Sequence, residues 1–375
     1  MKTTMNRLLC TLCLALCFTA SLHAEKENDY IELKGHTTPV LYAVFSPDGK
    51  KVVTVAASNR DGDARIWDTE SGKGVQKLEG HTRFVSSISF SPNGKEFVTT
   101  SYDRTTRIWD VESGKELLLL QQQDEQEIPS LLTTFSPCGK FVVGKGSDDE
   151  TIQIWEADSG KKLQALRGHT GANYPTFSPD GKKIATTSLD GTVKIWDVDL
   201  GKELQTLRGH TKATIAIFLQ EGKKLVTSGP DRLTIIWDVE SGKELQKLEG
   251  WLCALSPDDE KAATRGGRDG IVQVWDVNSG NKLQMFEGNT GRFALTGTFS
   301  PDGKNIVTIG ENGNNSTDTI ARIWNVDSGK EWRKLEGHTR AIHSAIFSPD
   351  GKKVITTSHD YTARIWNILP PEDQQ

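Results

Sequence analysis

Cysteine is scarce in this chain, and its placement makes it scarcer. Of the five cysteines, Cys10, Cys13 and Cys17 lie near the N-terminus, and only Cys138 and Cys253 follow. Residues 25–375 therefore have no disulfide framework to stabilise them, and no CxxC motif or Cys/His cluster that could bind structural zinc. We predict that the protein holds no metal and needs no cofactor.

Positive charge is not in excess either. The 45 Lys and Arg residues are outnumbered by 50 Asp and Glu residues, which gives a net charge of -5. Such a chain has no general attraction to phosphate, so we expect it to bind neither bulk nucleic acid nor an anionic membrane surface. Apolar residues at 35% and charged residues at 25% are typical of a globular protein and exclude a disordered, low-complexity chain.

The N-terminal apolar segment is too short for a membrane-spanning helix, which needs about 20 residues. Lys2 and Arg7 precede this segment, residues 8–20, and Ala24 comes directly before the charged residues 25–27. This order is typical of a secretory signal peptide that is cleaved near Ala24. We therefore predict export, to a periplasm or out of the cell, with retention of the segment as an anchor as the alternative.

Tryptophan, in contrast, recurs at a regular interval. Eight of the ten tryptophans end an R-I-W-D-like segment and lie 42, 46, 41, 41, 38, 49 and 42 residues apart. They are Trp67, Trp109, Trp155, Trp196, Trp237, Trp275, Trp324 and Trp366. A period near forty indicates a solenoid or a propeller, and no helical periodicity appears after residue 24.

Each repeat contains four short strands, as residues 168–208 illustrate. β-branched and alternating apolar residues predict strands at 174–177, 184–188, 193–196 and 204–207. A Ser-Pro-Asp-Gly turn follows the first strand, and Asp190-Gly191 forms the hairpin between the second and third strands.

These features make the chain resemble the WD40 family over residues 30–369. The Trp-Asp dipeptide that ends the third strand occurs in five repeats, and Trp155-Glu156, Trp324-Asn325 and Trp366-Asn367 replace it in the others. The resemblance implies a β-propeller of four-stranded blades around a central channel, and a protein-binding scaffold without chemistry of its own.

The number of strands predicts eight blades. Eight sets of first-to-third strands are present but only seven have their own fourth strand, and Tyr30-Ile31-Glu32-Leu33 has the fourth-strand pattern. We predict an all-β, eight-bladed propeller closed by pairing of this N-terminal strand with the last blade. Its predicted parts are a signal peptide (1–24), a propeller (25–369) and a tail (370–375), with repeats at about 35–79, 80–121, 122–167, 168–208, 209–249, 250–287, 288–336 and 337–369, plus the strand at 30–34.

In the family, a His, a Ser or Thr, an Asp and the Trp form a buried network in each blade. Three repeats contain a full set: His81, Ser101, Asp103 and Trp109; His169, Ser188, Asp190 and Trp196; and His338, Ser358, Asp360 and Trp366. Ser, His and Asp could also form a catalytic triad. The structural role is favoured, because the set recurs and a buried Asp needs donors such as these. The Asp lies six residues before the Trp throughout, which selects Asp61 in repeat 1, and the His is absent from repeats 3, 6 and 7, which we expect to be weaker.

Positions that vary among the repeats are candidates for binding. On the face that carries the Gly-His and Asp turns, the predicted protein-binding rim consists of Arg60, Arg83, Phe84, Tyr102, Tyr174, Lys212, Arg268, Arg340 and His359. Arg and aromatic residues are enriched at interface hot spots, although the same residues could be ordinary surface decoration. Repeat 6 is shortened before its first strand, and repeat 7 carries an Asn- and Gly-rich insertion at 310–319 that we expect to be a loop.

Little in the sequence favours catalysis. Only His343 and His359 remain once the repeat histidines and His23 are assigned, and we predict no catalytic residue. The leading hypothesis is an exported, non-catalytic scaffold that is a monomer or a component of a complex and binds an unknown protein partner. The alternatives are a hydrolase or lyase that uses His343 and His359, or a binder of glycans or small molecules at the channel mouth.

Overall fold

A computed structural model describes residues 29–58, 63–121, 133–146, 150–266, 271–286, 297–312 and 316–368. The predicted signal peptide and tail lie outside the described residues, as do Arg60, Asp61 and Arg268. Within these ranges the chain forms 32 strands in eight antiparallel, four-stranded sheets, so the predicted eight-bladed all-β fold is confirmed.

The strands follow one another blade by blade. β1 (Tyr30–Leu33) precedes blade 1, which contains β2 (Val40–Phe45), β3 (Lys51–Ala56), β4 (Ala64–Asp68) and β5 (Gly74–Lys77). Blade 2 contains β6 (Val85–Phe90), β7 (Glu96–Ser101), β8 (Thr105–Asp110) and β9 (Glu116–Gln121). Blade 3 contains β10 (Thr133–Phe135), β11 (Phe141–Lys145), β12 (Thr151–Glu156) and β13 (Lys162–Arg167), and blade 4 contains β14 (Ala172–Phe177), β15 (Lys183–Ser188), β16 (Thr192–Asp197) and β17 (Glu203–Arg208).

The second half repeats this order. Blade 5 contains β18 (Ile215–Leu219), a 3-10 turn (Gln220–Gly222), β19 (Lys224–Ser228), β20 (Leu233–Asp238) and β21 (Glu244–Glu249). Blade 6 contains β22 (Trp251–Leu255), β23 (Lys261–Arg265), β24 (Val272–Asp276) and β25 (Lys282–Phe286). Blade 7 contains β26 (Gly297–Phe299), β27 (Asn305–Asn312), β28 (Ser316–Asn325) and β29 (Glu331–Glu336), and blade 8 contains β30 (Ile342–Phe347), β31 (Lys353–Ser358) and β32 (Ala363–Asn367).

Blade 8 takes its outer strand from the other end of the chain. β1 pairs antiparallel with β32, so that Tyr30 lies opposite Trp366 and Leu33 opposite Ala363. The Tyr30 and Trp366 rings lie 4.6 Å apart between centroids. Blade 8 also bonds to blade 1, because the Thr357 hydroxyl donates to the Leu41 carbonyl at 3.0 Å. A sheet edge that would otherwise be open is therefore covered.

The Ser-Pro-Asp-Gly turns explain why each first hairpin forms. In blade 1 the Ser46 hydroxyl donates to Asp48 Oδ1 at 2.6 Å and accepts the Lys51 N–H at 2.9 Å. Gly49 has a φ of +71°, a left-handed conformation that glycine adopts without steric cost. Ser178 and Ser348 make the same pair of bonds in blades 4 and 8, so these turns have one local design.

The apolar core lies between neighbouring blades rather than inside one blade. In the part of the chain that is described, each of eight apolar clusters combines residues of two adjacent blades. Between blades 4 and 5, for example, Ile195 and Leu207 pack with Phe218 and Trp237. The repeat tryptophans belong to this core, and Trp109 is only 1% exposed.

Glutamine side chains link four pairs of blades at their outer edges. Each lies in an outer strand and donates its amide to a backbone carbonyl in the turn of the next blade. The bonds are Gln164 to Asp199 (2.5 Å), Gln205 to Glu240 (2.9 Å), Gln246 to Asn278 (3.0 Å) and Gln284 to Asp327 (3.1 Å). Gln76 of blade 1 instead donates to the carbonyl of Lys77, its own neighbour.

The irregular repeats differ from the sequence prediction in one respect. The insertion predicted as a loop at 310–319 is largely strand, because β27 continues to Asn312 and β28 begins at Ser316. The inserted residues pair with one another, since Glu311 lies opposite Thr317, and therefore lengthen a hairpin. None of the described residues forms a helix long and apolar enough to cross a membrane.

Candidate functional site

Each complete network consists of a chain of hydrogen bonds from the tryptophan to the aspartate. In blade 2, Trp109 Nε1 donates to Thr99 Oγ1 at 2.7 Å, and His81 Nε2 lies 2.8 Å from the same oxygen. A neutral imidazole has one donor and one acceptor nitrogen, and the Asp103 carboxylate can only accept from Nδ1, so Nε2 accepts the Thr99 proton. His81 Nδ1 then donates to Asp103 Oδ2 at 2.9 Å. The network fastens the loop before the first strand to the turn after the second strand.

Five of the described blades contain this tetrad, two more than the three full sets in the sequence. Each includes a His, a Thr, an Asp and the repeat Trp. They are His36, Thr54, Asp63 and Trp67; His81, Thr99, Asp103 and Trp109; His169, Thr186, Asp190 and Trp196; His210, Thr227, Asp231 and Trp237; and His338, Thr356, Asp360 and Trp366.

The serines expected in these networks have a different role. Ser101 donates to the Arg83 carbonyl at 2.9 Å and accepts the Asp103 N–H at 3.1 Å, so it stabilises the turn and does not bond to His81. Ser358 makes the equivalent bonds in blade 8, and Ser188 in blade 4 donates to the Thr170 and Gly171 carbonyls and accepts the Asp190 N–H. The prediction of Ser as the linking hydroxyl is therefore wrong for these three blades.

Blade 1 departs from the predicted spacing as well. Its tetrad acid is Asp63, whose Oδ2 lies 2.7 Å from His36 Nδ1. The spacing of six residues before Trp67 selects Asp61, which lies outside the described residues.

The tetrad geometry does not support a catalytic triad. No tetrad serine bonds to an imidazole among the described residues, and each imidazole Nε2 bonds to a threonine that also holds the buried indole. Burial disfavours the charge of Asp103, but hydrogen bonds from His81, Thr105 and the Thr82 backbone outweigh it and hold the pKa of the carboxyl below its usual value. Burial lowers the pKa of His338, and the bond to Asp360 offsets only part of this effect. The imidazole is therefore neutral at pH 7.

The described rim residues lie at one end of the blades, with one exception. Because successive strands run antiparallel, the loop before the first strand and the turn between the second and third strands meet at the same end of each sheet. Arg83, Phe84, Lys212 and Arg340 lie in such loops, and Tyr102 and His359 lie in such turns. Tyr174 is instead inside β14, so it lines the channel rather than the loop before the strand.

Two rim residues come together with a third aromatic residue that sequence reasoning missed. The Phe84 ring lies 5.6 Å from the ring of Tyr102 and 6.3 Å from that of Tyr42. Tyr42 donates its hydroxyl to the Val85 carbonyl. Burial, and secondarily the nearby Tyr102, raises the pKa of the Tyr42 hydroxyl. The cluster joins blades 1 and 2, and no sequence pattern marks Tyr42 because the contact crosses between blades.

His359 contacts another histidine rather than a carboxylate. The rings of His343 and His359 stack with their centroids 4.1 Å apart, and His343 Nε2 is buried without a hydrogen-bond partner. Burial, and secondarily His359, lowers the pKa of His343 to about 4. The adjacent Asp360 bonds to His338 at 2.7 Å and to Thr362 at 2.6 Å. Over the described ranges, no three His, Cys, Asp or Glu side chains converge closely enough to hold a metal ion.

The channel contains an uncharged cavity of about 790 Å³ between the inner strands of blades 2 to 5. Hydroxyls of Ser89, Thr134 and Thr176 line it, together with Ile215 and Ile217. The two isoleucines are 37% and 38% exposed, so an apolar surface faces the solvent of the channel.

The fold and the tetrads define the class: a closed β-propeller in which polar side chains fasten the loop and the turn at one end of individual blades. The family described as "WD domain, G-beta repeat" matches residues 28–68, 72–110, 119–156, 160–197, 201–238 and 329–367. These segments are more than half of the chain, so this protein belongs to the WD40 family.

Comparison with solved structures gives the same fold. A crystal structure of the computationally designed Ika8 protein superposes with a TM-score of 0.74 at 26% identity, over 90% of this chain and 98% of that chain. No curated protein sequence matches this chain. Because 1911 chains of solved structures match, the likeness identifies a fold rather than an activity.

Proposed function

We propose that this protein is an exported, non-catalytic scaffold that binds partner proteins through the face that carries the tetrad loops. One observation carries the proposal. The tetrad histidines and aspartates of that face are held in structural networks, while exposed Arg, Lys and aromatic side chains remain available to a partner.

The tetrads also favour binding for an energetic reason. A loop that is already fixed by hydrogen bonds loses little conformational freedom when a partner docks, so less binding free energy is spent on ordering it. The WD40 fold itself suggests protein partners. We expect selection among partners to depend on a few side chains of the rim, such as Arg83, Tyr102 and Arg340.

Export is supported by the basic, apolar and small-residue order of the first 24 residues. The test is to express the full chain with a C-terminal tag, fractionate the cells and sequence the N-terminus of the product. A product that begins near Glu25 outside the cytoplasm is expected. An uncleaved cytoplasmic product would contradict export and leave the binding proposal standing.

Binding is tested with three forms of the tagged full chain as bait for extracytoplasmic extracts. The first is unchanged, and the second carries Arg83→Ala, Tyr102→Ala and Arg340→Ala. The third carries Lys95→Ala, Lys182→Ala and Lys352→Ala, which change exposed turns at the opposite end of the blades. Capture that is lost only with the second bait supports the proposal, and capture that survives all three contradicts it.

The stacked imidazoles favour a second candidate, a small-molecule or glycan site or a hydrolase or lyase at the channel mouth. His343 is neutral at pH 7 and its Nε2 is unpartnered but buried, so it could accept a hydrogen bond or a proton only from a ligand that enters beside the stacked rings. Turnover of ester, lactone or glycan substrates that disappears with His359→Ala would support this candidate.

A further inference from the structure

Two cationic and two apolar residues lie on adjacent loops and strand ends of blades 4 and 5. Lys212 precedes β18 and Arg232 lies in the turn before β20, and both are exposed. Leu189 is 51% exposed and Ile215 is 37% exposed. We call these four residues the blade 4–5 mouth.

Backbone contacts place the four residues together. The N–H of Ala213, next to Lys212, donates at 3.0 Å to the carbonyl of Ser188, next to Leu189. A Cβ on Gly229 would lie 2.1 Å from the Lys212 carbonyl, so the turn that carries Arg232 packs directly on the Lys212 loop. The two blades therefore present one continuous surface.

The acids of these turns do not neutralise the cations. Asp231 accepts bonds from His210 at 2.9 Å and from the Thr211 N–H at 3.1 Å, so its carboxylate is turned toward the tetrad. Lys212 and Arg232 form no ion pair within the described ranges. Both cations are exposed, so carboxylates of a partner could pair with them, and such pairing would favour an acidic ligand.

Arg232 also occupies a strained backbone position. Its φ is +62°, whereas the equivalent residue in blade 4 is Gly191, with a φ of +84°. A side chain in this left-handed region costs stability that glycine would not. Arg104 of blade 2 has the same geometry, with a φ of +69°, and provides a matched position elsewhere on the face.

The residues that follow Lys212 along the chain line an uncharged pocket. The channel cavity of about 790 Å³ begins at Thr214 and Ile215, and its described lining is uncharged. Ile217, 38% exposed, continues the apolar surface inward. An apolar side chain placed there would leave contact with water while its neighbours stayed near Lys212 and Arg232.

We infer that the blade 4–5 mouth binds an acidic segment of a partner protein, with an apolar side chain beside Ile215 and carboxylates at Lys212 and Arg232. This inference rests on the proposed function and specifies the partner's chemistry and its place on the face.

The experiment begins with phage-displayed random 12-residue peptides that are panned on the purified protein. Enriched sequences should contain Asp or Glu next to Leu, Ile or an aromatic residue. A synthetic peptide of the enriched sequence is then titrated by fluorescence anisotropy. Lys212→Glu should weaken its binding about tenfold, and added salt should weaken it further. Lys223→Glu, at the other end of blade 5, should leave the Kd unchanged.

A second pair of variants separates binding from stability. Arg232→Gly should weaken binding of the peptide. The melting temperature of this variant should stay equal or rise, because glycine relieves the strain of the left-handed conformation. Arg104→Gly should relieve the same strain in blade 2 and keep the peptide Kd.

The outcomes distinguish this inference from the proposed function. Enriched peptides without acidic residues, or acidic peptides that bind Lys212→Glu normally, would overturn the inference, and so would the absence of any enriched sequence. If such peptides lose binding with the Arg83, Tyr102 and Arg340 substitutions, the proposed function stands. Peptides that are insensitive to every substitution on this face would overturn both.

Discussion

Blades 5 and 6 are neighbours with the same strand order, yet they hold their tryptophans differently. In blade 5, Trp237 donates to Thr227 at 2.7 Å, and the chain of bonds continues through His210 to Asp231. In blade 6, Trp275 donates to Thr264 at 2.7 Å, but Thr264 donates to the Glu249 carbonyl at 2.7 Å instead of to a histidine. The indole–threonine half is kept, and the histidine–aspartate half is absent from the described part of blade 6.

This difference separates two functions of the tetrad. The indole–threonine bond satisfies a donor buried in the core, which every well-packed blade needs. The histidine–aspartate bond fastens the loops of the face proposed for binding. The family match includes all five tetrad blades and leaves out residues 239–328, which hold most of blades 6 and 7. Blades with a tetrad histidine therefore match the family, and blades 6 and 7, which lack it, are largely left out. Blade 3 is the exception, because it matches without a tetrad histidine.

The largest effect on stability is expected in blade 8, which has a complete tetrad but whose outer strand, β1, comes from the N-terminal end of the chain. Deletion of residues 25–34 should lower stability by about 5 kcal/mol or more and cause aggregation, since it removes the fully buried Leu33 and exposes the edge of β32. Thermal melts and light scattering measure both effects. Deletion of residues 370–375 is the control. An unchanged melt would mean that the tetrad alone holds blade 8.

The two halves of the tetrad are compared by the same substitution in adjacent blades. Thr227→Val keeps the shape but leaves both Trp237 Nε1 and His210 Nε2 unpaired, which should cost about 3 kcal/mol. Thr264→Val leaves Trp275 Nε1 and the Glu249 carbonyl without this partner. The loss of stability should be smaller, about 1.5 kcal/mol. Denaturant unfolding of both variants is the measurement. Equal losses would show that the histidine half adds no stability.

The pH dependence separates a paired from an unpaired histidine within blade 8. The pKa of His343 is lowered from 6.5 to about 4, so the unfolded chain binds its proton more readily. The stability that this group contributes is present above pH 6.5 and is lost as the pH falls toward 4. His343→Gln should reduce that loss by about 1 kcal/mol, because solvent screens this half-buried group. His359→Gln removes the smaller of the two influences on His343, so it should reduce the loss less than His343→Gln does. A pH profile that His343→Gln leaves unchanged would contradict the assignment.

The fold could be predicted from sequence because each blade is a local structure. Four consecutive strands with fixed turns produce a period that Trp109 and Trp196 mark without any knowledge of distant contacts. The linking hydroxyl could not be found this way. Only the pairing of Phe97 with Trp109 shows that Thr99, two residues further along β7, faces the indole, while Ser101 at the strand end faces the turn.

Contacts between blades were the other part that sequence could not supply. The contact of Tyr42 with Phe84 and the location of Tyr174 in the channel depend on how blades are placed beside one another. The spacing rule did not find the tetrad acid of blade 1, which is Asp63, four residues before Trp67.

The smallest effect concerns the outer edges, where the glutamine bonds join blades whether or not they have a tetrad histidine. Gln205→Ala removes a 2.9 Å bond from blade 4 to the Glu240 carbonyl of blade 5 and should cost about 1 kcal/mol. Gln76→Ala, whose amide bonds only to its neighbour Lys77, should cost close to nothing. Gln284→Ala, which joins blades 6 and 7, should match Gln205→Ala. A larger loss for Gln284→Ala would mean that blades without a tetrad histidine depend more on their neighbours. Equal losses would place the difference between the blades at the face proposed for binding alone.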